Sequence, residues 1–173
     1  MGKIAERKWD YIVLQEQSVT PSLPERVNAM YPAVRYLTYK IRHSGATPLL
    51  YMTWGREKGL PESGFNDYVS MQTQIILGTT GIADELGMEV SPVGMAWKSA
   101  LEKDPNLNLW QTDGSHPTVE GSYLGACVFY AVIYHKSPVG LDYTDGLPME
   151  MAKFLQMIAA DTVLTDPGRW NIH

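Results

Sequence analysis

Short apolar runs alternate along the chain with longer segments whose apolar residues recur at helical spacing. A strand buried on both faces has a continuous apolar run, so the short runs predict parallel strands at residues 11–14, 48–54 and 88–93. Helical spacing predicts helices at residues 25–43, 65–86, 95–101, 118–134 and 148–164. Gly45 and Gly87 are typical helix ends.

This order of elements predicts one α/β domain over residues 1–173, with a flavodoxin-like parallel sheet between two helical layers. Functional groups in such sheets gather in loops beyond the carboxyl ends of the strands. Functional residues are therefore expected in three loops: residues 15–20, residues 54–60 and the polar run before Thr118.

Composition narrows the classes of partner. Of the 173 residues, 45% are hydrophobic and 19% charged, as is usual for globular domains. A net charge of −5 without a Lys/Arg run argues against nucleic acid as a partner, and no segment is long and apolar enough to span a bilayer.

The first residues do not form a signal peptide, which leaves the compartment open because a leader can be removed. The single cysteine, Cys127, excludes an intramolecular disulfide and a cysteine metal cluster, and no metal or organic cofactor is predicted.

Asp113 and His116, in the polar run before Thr118, form the strongest local signal. A carboxylate three residues before a histidine can hold one ring nitrogen and leave the other free as a general base. Pro117 suits the first turn of the following helix and places His116 just before it. The alternative is a capping aspartate beside a surface histidine.

Polar residues also follow the first two predicted strands. After the first strand, Gln15 or Gln17 can donate an amide N–H to an oxyanion, and Ser18 follows them; a polar loop bonded to its own backbone is the alternative. After the second strand, Trp54 can form a pocket wall and Arg56 can meet an anionic or sugar substrate. A core tryptophan beside a solvated arginine explains that second pair equally well.

Four stretches of the chain together resemble the SGNH (GDSL-like) hydrolase superfamily, and a bacterial branch of it most closely. They are residues 9–18 (WDYIVLQEQS), 52–55 (MTWG), 110–117 (WQTDGSHP) and 121–130 (GSYLGACVFY). Their order and spacing agree with the superfamily from about Lys8 to Pro138. The resemblance implies a three-layer α/β/α fold and hydrolysis of an ester, often an acyl group on a carbohydrate or lipid.

The resemblance also implies roles for residues. His116 would be the general base and Asp113 its orienting acid. Superfamily members usually carry Gly-x-Asn after the third strand, and the Asn completes the oxyanion hole; the matching stretch here is residues 15–17, which makes Gln17 the candidate for that role. The Gly-Asp-Ser or Gly-Asn-Ser block that supplies the nucleophile in the superfamily has no match in this chain. The domain is therefore expected to be incomplete at its N-terminus, without the first two strands.

Loss of those two strands would expose the edge of the strand at residues 11–15. A bare apolar edge invites pairing, so the chain is expected to form a homodimer through it.

Three functional hypotheses follow. The first is an esterase that is inactive or incomplete as this chain alone and acts on a small-molecule or glycan ester. Its serine comes from elsewhere or, within the chain, from Ser18; Ser115 is too close to His116 in sequence, and Ser122 lies inside a helix. The second is a catalytically dead module of the same fold that binds a glycan or a protein partner. The third is a plain structural domain, which leaves the Asp113–His116 pattern unexplained.

Overall fold

The computed structural model describes residues 2–173 and contains one parallel sheet within them. Its three strands lie side by side in sequence order: β1 (Tyr11–Gln15), β2 (Thr47–Tyr51) and β3 (Glu89–Ser91). The register sets Leu14 beside Leu50 and Leu50 beside Val90. The predicted strands are confirmed, but two of them end early. β2 ends at Tyr51 rather than Trp54 because the chain turns from the sheet toward α5, where Gly94 N–H donates to the Met52 carbonyl. β3 ends at Ser91 rather than Val93 because Val93 already begins α5.

Seven α-helices accompany the sheet in the described residues. The five predicted ones are α3 (Pro24–His43), α4 (Tyr68–Leu86), α5 (Val93–Lys103), α6 (Val119–Tyr134) and α7 (Met149–Leu164). Two one-turn helices, α1 (Gly2–Ala5) and α2 (Val19–Ser22), were not predicted because four residues are too few to show a helical period. Short 3-10 helices cover Pro61–Ser63 and Pro167–Trp170.

The helices cover both faces of the sheet, which confirms the three-layer α/β/α arrangement. On one face, α3 lies against Leu14 and Leu50. On the other, α6 approaches Tyr51, whose ring meets Phe129 edge-on with centroids 4.9 Å apart. Side chains alternate across a strand, so neighbouring residues of β2 serve different layers.

β1 forms one outer edge of the sheet and pairs only with β2 in the described part of the chain. Val13, at its centre, is 43% exposed. A cavity of about 460 Å³, lined by Leu14 and α3, opens on one side of β1, and one of about 230 Å³, lined by Val13 and Trp9, opens on the other. The β1 edge is thus apolar and open to solvent.

Within residues 2–173, none of the helices has the length and apolar character needed to cross a membrane.

Candidate active site

Asp113 and His116 lie in a tight loop between α5 and α6, here called the Asp–His loop (residues 111–117). Gln111 closes it twice: its backbone N–H donates to the His116 carbonyl over 2.8 Å, and its side-chain amide donates to the Pro117 carbonyl over 2.9 Å. Thr118 then caps α6, with its hydroxyl accepting from Gly121 N–H. The loop is therefore shaped by its own hydrogen bonds and by the helix that it starts.

Both oxygens of the Asp113 carboxylate serve the histidine. Oδ2 lies 2.5 Å from His116 Nδ1, and Oδ1 accepts the backbone N–H groups of Ser115 and His116, each over 2.9 Å. Gly114 makes the turn possible with a φ of +65°, a conformation that other residues adopt only with strain. The sequence prediction that Asp113 holds one ring nitrogen agrees with this geometry.

The electrostatics fix the direction of the hydrogen bond. The hydrogen bond from the His116 ring, followed by those from the two backbone N–H groups, lowers the pKa of Asp113 to about 2. At neutral pH the carboxylate can only accept, so Nδ1 of His116 carries a proton. Nε2 of His116 has no hydrogen-bond partner among residues 2–173, and the side chain is 73% exposed. A neutral ring in this state is a base whose lone pair faces solvent.

The segment after β2 holds the Asp–His loop in place. Trp54 Nε1 donates to the Ser115 carbonyl over 3.0 Å, and Glu57 N–H donates to the Gly114 carbonyl over 2.9 Å. In the opposite direction, Trp110 Nε1 donates to the Gly55 carbonyl over 3.1 Å. These three bonds tie the middle of the Asp–His loop, and the residue just before the loop, to the segment after β2.

Three tryptophans, Trp54, Trp97 and Trp110, pack together beside this attachment. Trp54 stacks on Trp97 with centroids 4.2 Å apart and planes 7° apart, and Trp97 meets Trp110 at 5.5 Å. A Cβ on Gly121 would lie 2.5 Å from Trp97 Cη2 and 2.7 Å from the Leu109 carbonyl oxygen, so only glycine fits there. Sequence analysis gave no site role to Trp97 or Gly121. Gly121 is recognisable only as a glycine in the first turn of an apolar helix, and Trp97 has no local signal.

Arg56 lies beside the pair. It lines a cavity of about 240 Å³ together with Asp113, Glu57, Lys58 and Glu62. The cavity contains both cations and carboxylates, so its charge does not by itself select an anion. Trp54 and Arg56 are thus brought to the Asp–His loop, one as its support and the other on the wall of an adjacent cavity.

The polar residues after β1 are not joined to the pair by any hydrogen bond within residues 2–173. Gln15 lines the 460 Å³ cavity at the β1 edge. Gln17 is exposed, and its backbone N–H is bonded to the Glu16 side chain over 2.8 Å. Ser18 is half-buried just before α2. Their roles stay predictions.

Other chemistry has little support in the described residues. No group of three His, Cys, Asp or Glu residues within 2–173 is placed to hold a metal ion. Cys127 is buried, as the sequence predicted, and burial raises the pKa of its thiol to about 11. A thiol in that state is a poor nucleophile at neutral pH.

Comparison with known proteins identifies the fold. No protein-family model and no curated protein matches the chain. A DUF4886 family protein from Bacteroides uniformis matches 94% of it with a TM-score of 0.79 and 24% identity, and a candidate SGNH hydrolase from Slackia heliotrinireducens matches 74% with a TM-score of 0.63 and 25% identity. The chain spans 65% and 67% of the lengths of these two proteins. The chain therefore has an SGNH-hydrolase-like α/β fold.

Proposed function

We propose that the Asp113–His116 pair is the acid–base half of an SGNH-type serine ester hydrolase. The observation that carries the proposal is a histidine fixed at Nδ1 by an ionised carboxylate, with Nε2 unpartnered and exposed. A serine hydroxyl placed at Nε2 would lose its proton to the ring as its oxygen attacks the ester carbonyl. The imidazolium would then give that proton to the departing alcohol, and water would release the acyl group by the same steps.

The serine is the missing part of this arrangement. Among residues 2–173, no serine hydroxyl is hydrogen-bonded to His116, and the solvent side of the ring is where the nucleophile would sit. The chain alone is accordingly expected to be inactive or incomplete. Ser18 is the candidate within the chain, and Gln17 the candidate oxyanion donor.

Substrate contacts are proposed for the cavity beside Asp113. Arg56 and Lys58 line it and make no ion pair with another described residue, which leaves their donors available to a ligand. Together with the carboxylates of Glu57 and Glu62 they offer both donors and acceptors, as the hydroxyl groups of a small polar or glycan ester require.

The test combines labelling with restoration of the nucleophile. The chain alone, and the chain joined to an N-terminal strand–helix–strand block of the resembled superfamily that carries Gly-Asp-Ser, are treated with a fluorophosphonate and assayed with a 4-nitrophenyl ester. We expect labelling and turnover in the joined protein, both lowered about 10⁴-fold by His116→Ala. His43→Ala, which removes an exposed histidine of α3, is the matched control and should leave both unchanged.

A folded joined protein without label, or a label that survives His116→Ala, would remove the hydrolase proposal. Binding of a glycan without turnover would then favour the catalytically dead module. A label on Ser18 in the chain alone would instead show that this chain completes its own site.

We also propose that two copies of the chain pair through the β1 edge. Antiparallel pairing centred on Ile12 would set Lys8 of each copy opposite Glu16 of the other, whereas pairing centred on Val13 would set Asp10 opposite Glu16. Opposite charges across strands favour the first register, and like charges disfavour the second. The exposed Val13 and the cavities on both sides of β1 supply the apolar contact.

Light scattering across concentration tests this pairing. Val13→Lys should yield a monomer, because a charge at the centre of an edge blocks pairing. Val69→Lys, at an exposed apolar position on α4, is the control. Lys8→Glu should weaken the dimer, and adding Glu16→Lys should restore it. A wild-type monomer at all concentrations would contradict the proposal.

A further inference from the structure

Gln72, in the middle of α4, is a wholly buried polar residue directly behind the segment that holds the Asp–His loop. It has no exposed surface. Its Oε1 accepts the backbone N–H of Gly55 over 2.7 Å. Gly55 itself lies against α4, since a Cβ there would be only 3.4 Å from Gln72 N and from the Tyr68 ring.

Two hydrogen bonds beside this contact hold the Asp–His loop and the residue that precedes it. The carbonyl of Gly55 accepts from Nε1 of Trp110, the residue immediately before the loop. The residue before it, Trp54, donates through Nε1 to the Ser115 carbonyl, next to His116. The Gln72–Gly55 bond therefore holds the short backbone segment that carries the Trp54 indole and the carbonyl that accepts from Trp110.

The other end of the Gln72 amide shows that packing alone does not account for the residue. Its Nε2 is buried and has no hydrogen-bond partner among residues 2–173. An unpaired buried donor lowers the stability of a fold. If Gln72 only filled space, an apolar side chain of similar size would therefore serve better. The bond that the amide does make is the one to Gly55.

Gln156 provides a built-in comparison. It is also wholly buried, and its Oε1 also accepts a glycine N–H, that of Gly140, over 3.0 Å. Its Nε2, however, is satisfied by the Tyr123 hydroxyl and the Leu141 carbonyl. Gln156 joins α7 to the loop after α6 and makes no bond to the segment after β2.

We infer that Gln72 is a positioning residue, which holds the Asp113–His116 pair at the carboxyl end of the sheet through Gly55, Trp54 and Trp110. The inference rests on the proposed function for its catalytic meaning, while the attachment itself can be measured without any activity. Loss of the Gln72 acceptor would leave Gly55 N–H unpaired and loosen both indole contacts.

Hydrogen exchange of the indole N–H groups reads the attachment directly, and the variant Gln72→Met removes the acceptor while keeping the length of the side chain. We expect exchange at Trp54 and Trp110 to accelerate about tenfold or more relative to Trp170, whose indole donates to the Thr162 carbonyl far from the site. Gln156→Met, the matched control, should leave that ratio unchanged. Gln72→Glu keeps an oxygen for Gly55 and should return the ratio toward wild type.

A rise at all three indoles in proportion to lost stability would show that Gln72 is merely structural and would overturn the inference. If Gln72→Met does not fold, Gln72→Asn is read in its place, because its shorter side chain withdraws the acceptor. In the joined protein, Gln72→Met should lower kcat and leave KM unchanged. Absence of turnover in every variant would count against the proposed function, and the indole exchange would still decide the inference.

Discussion

The segments after β1 and β2 leave the same end of one sheet, yet they are held very differently. The segment after β2 is bonded to the Asp–His loop by Trp54 and Glu57, and Gly55 is bonded to Trp110 just before the loop. Trp54 also stacks on the buried Trp97. After β1, Gln17 is exposed, and its backbone N–H donates to the side chain of its neighbour Glu16. The proposed base is therefore preorganised, whereas the segment after β1, which holds the proposed oxyanion donor and serine, lies open.

The difference between the two segments lies in the neighbours that hold them. Preorganised groups owe their position to neighbours whose own conformations are locked by packing and hydrogen bonds. The β2 side has those neighbours within the described chain. The β1 side adjoins the open edge of the sheet, where β1 pairs only with β2 in the described residues.

Removing the tryptophan stack should have the largest effect. Trp97→Ala would leave a cavity under Trp54 and Trp110, and we expect the free energy of unfolding to fall by about 3–5 kcal/mol. Trp9→Ala, beside the β1 edge, should cost about 1 kcal/mol or less. Urea unfolding measures both, and equal losses would erase the difference between the two regions.

Alanine substitutions at two glycines of α6 should affect stability in opposite directions, because only one of these glycines is closely packed. Gly121→Ala would drive a methyl group into Trp97 and the Leu109 carbonyl, and we expect a loss of about 1–3 kcal/mol. Gly125→Ala meets Val93 and the Tyr51 hydroxyl at ordinary distances of 3.6 and 3.8 Å, so improved helix propensity should leave stability unchanged or slightly higher. Thermal melts of the two variants should shift in different directions; a stable Gly121→Ala protein would contradict the account.

The ionised Asp113 gives the Asp–His loop a characteristic pH dependence. The pKa of Asp113 is lowered from 3.8 to about 2 in the folded protein, so its contribution to stability is complete above pH 3.8 and is lost as the pH falls through 2. Asp113→Asn should therefore differ from wild type in urea midpoint at neutral pH, and the difference should shrink as the pH approaches 2. A difference that does not change with pH would mean that the carboxylate is unperturbed.

The smallest effect is expected at Gln17. Its side chain is exposed, and Gln17→Ala should change the free energy of unfolding by no more than about 0.5 kcal/mol. A large loss in chemical denaturation would show that the loop after β1 is anchored after all. In the joined protein, a drop in kcat at unchanged stability would support the oxyanion role.

Local sequence patterns predicted most of the fold. The apolar runs at β1, β2 and β3 and the periodic segments of the five long helices are visible in single stretches of sequence, and the loops that leave the sheet follow from them. The one-turn helices α1 and α2 were not predicted, because four residues are too few to show a helical repeat of apolar positions. The early end of β2 escaped because Met52 and Thr53 are apolar or β-branched, and only the tertiary bond from Gly94 reveals the turn.

The candidate site was predictable only where its parts are neighbours in sequence. Asp113 and His116 are three residues apart, so their contact follows from one loop. Trp97, Gly121 and Gln72 support that loop across gaps of many residues, and no local pattern connects them to it. The pocket-wall role of Trp54 stays a prediction, and the bond from its indole to the Ser115 carbonyl had no signal in the local sequence.

The tautomer of His116 is the most direct test of the central claim that Asp113 prepares this ring as a base. Long-range ¹H–¹⁵N NMR of histidine-labelled protein at about pH 9, where an ordinary imidazole is neutral, distinguishes a proton on Nδ1 from one on Nε2. We predict Nδ1–H as the dominant form of His116, and loss of that preference in Asp113→Asn. A dominant Nε2–H form in the wild-type protein would contradict it, because the nitrogen that must accept the proton from serine would already carry one.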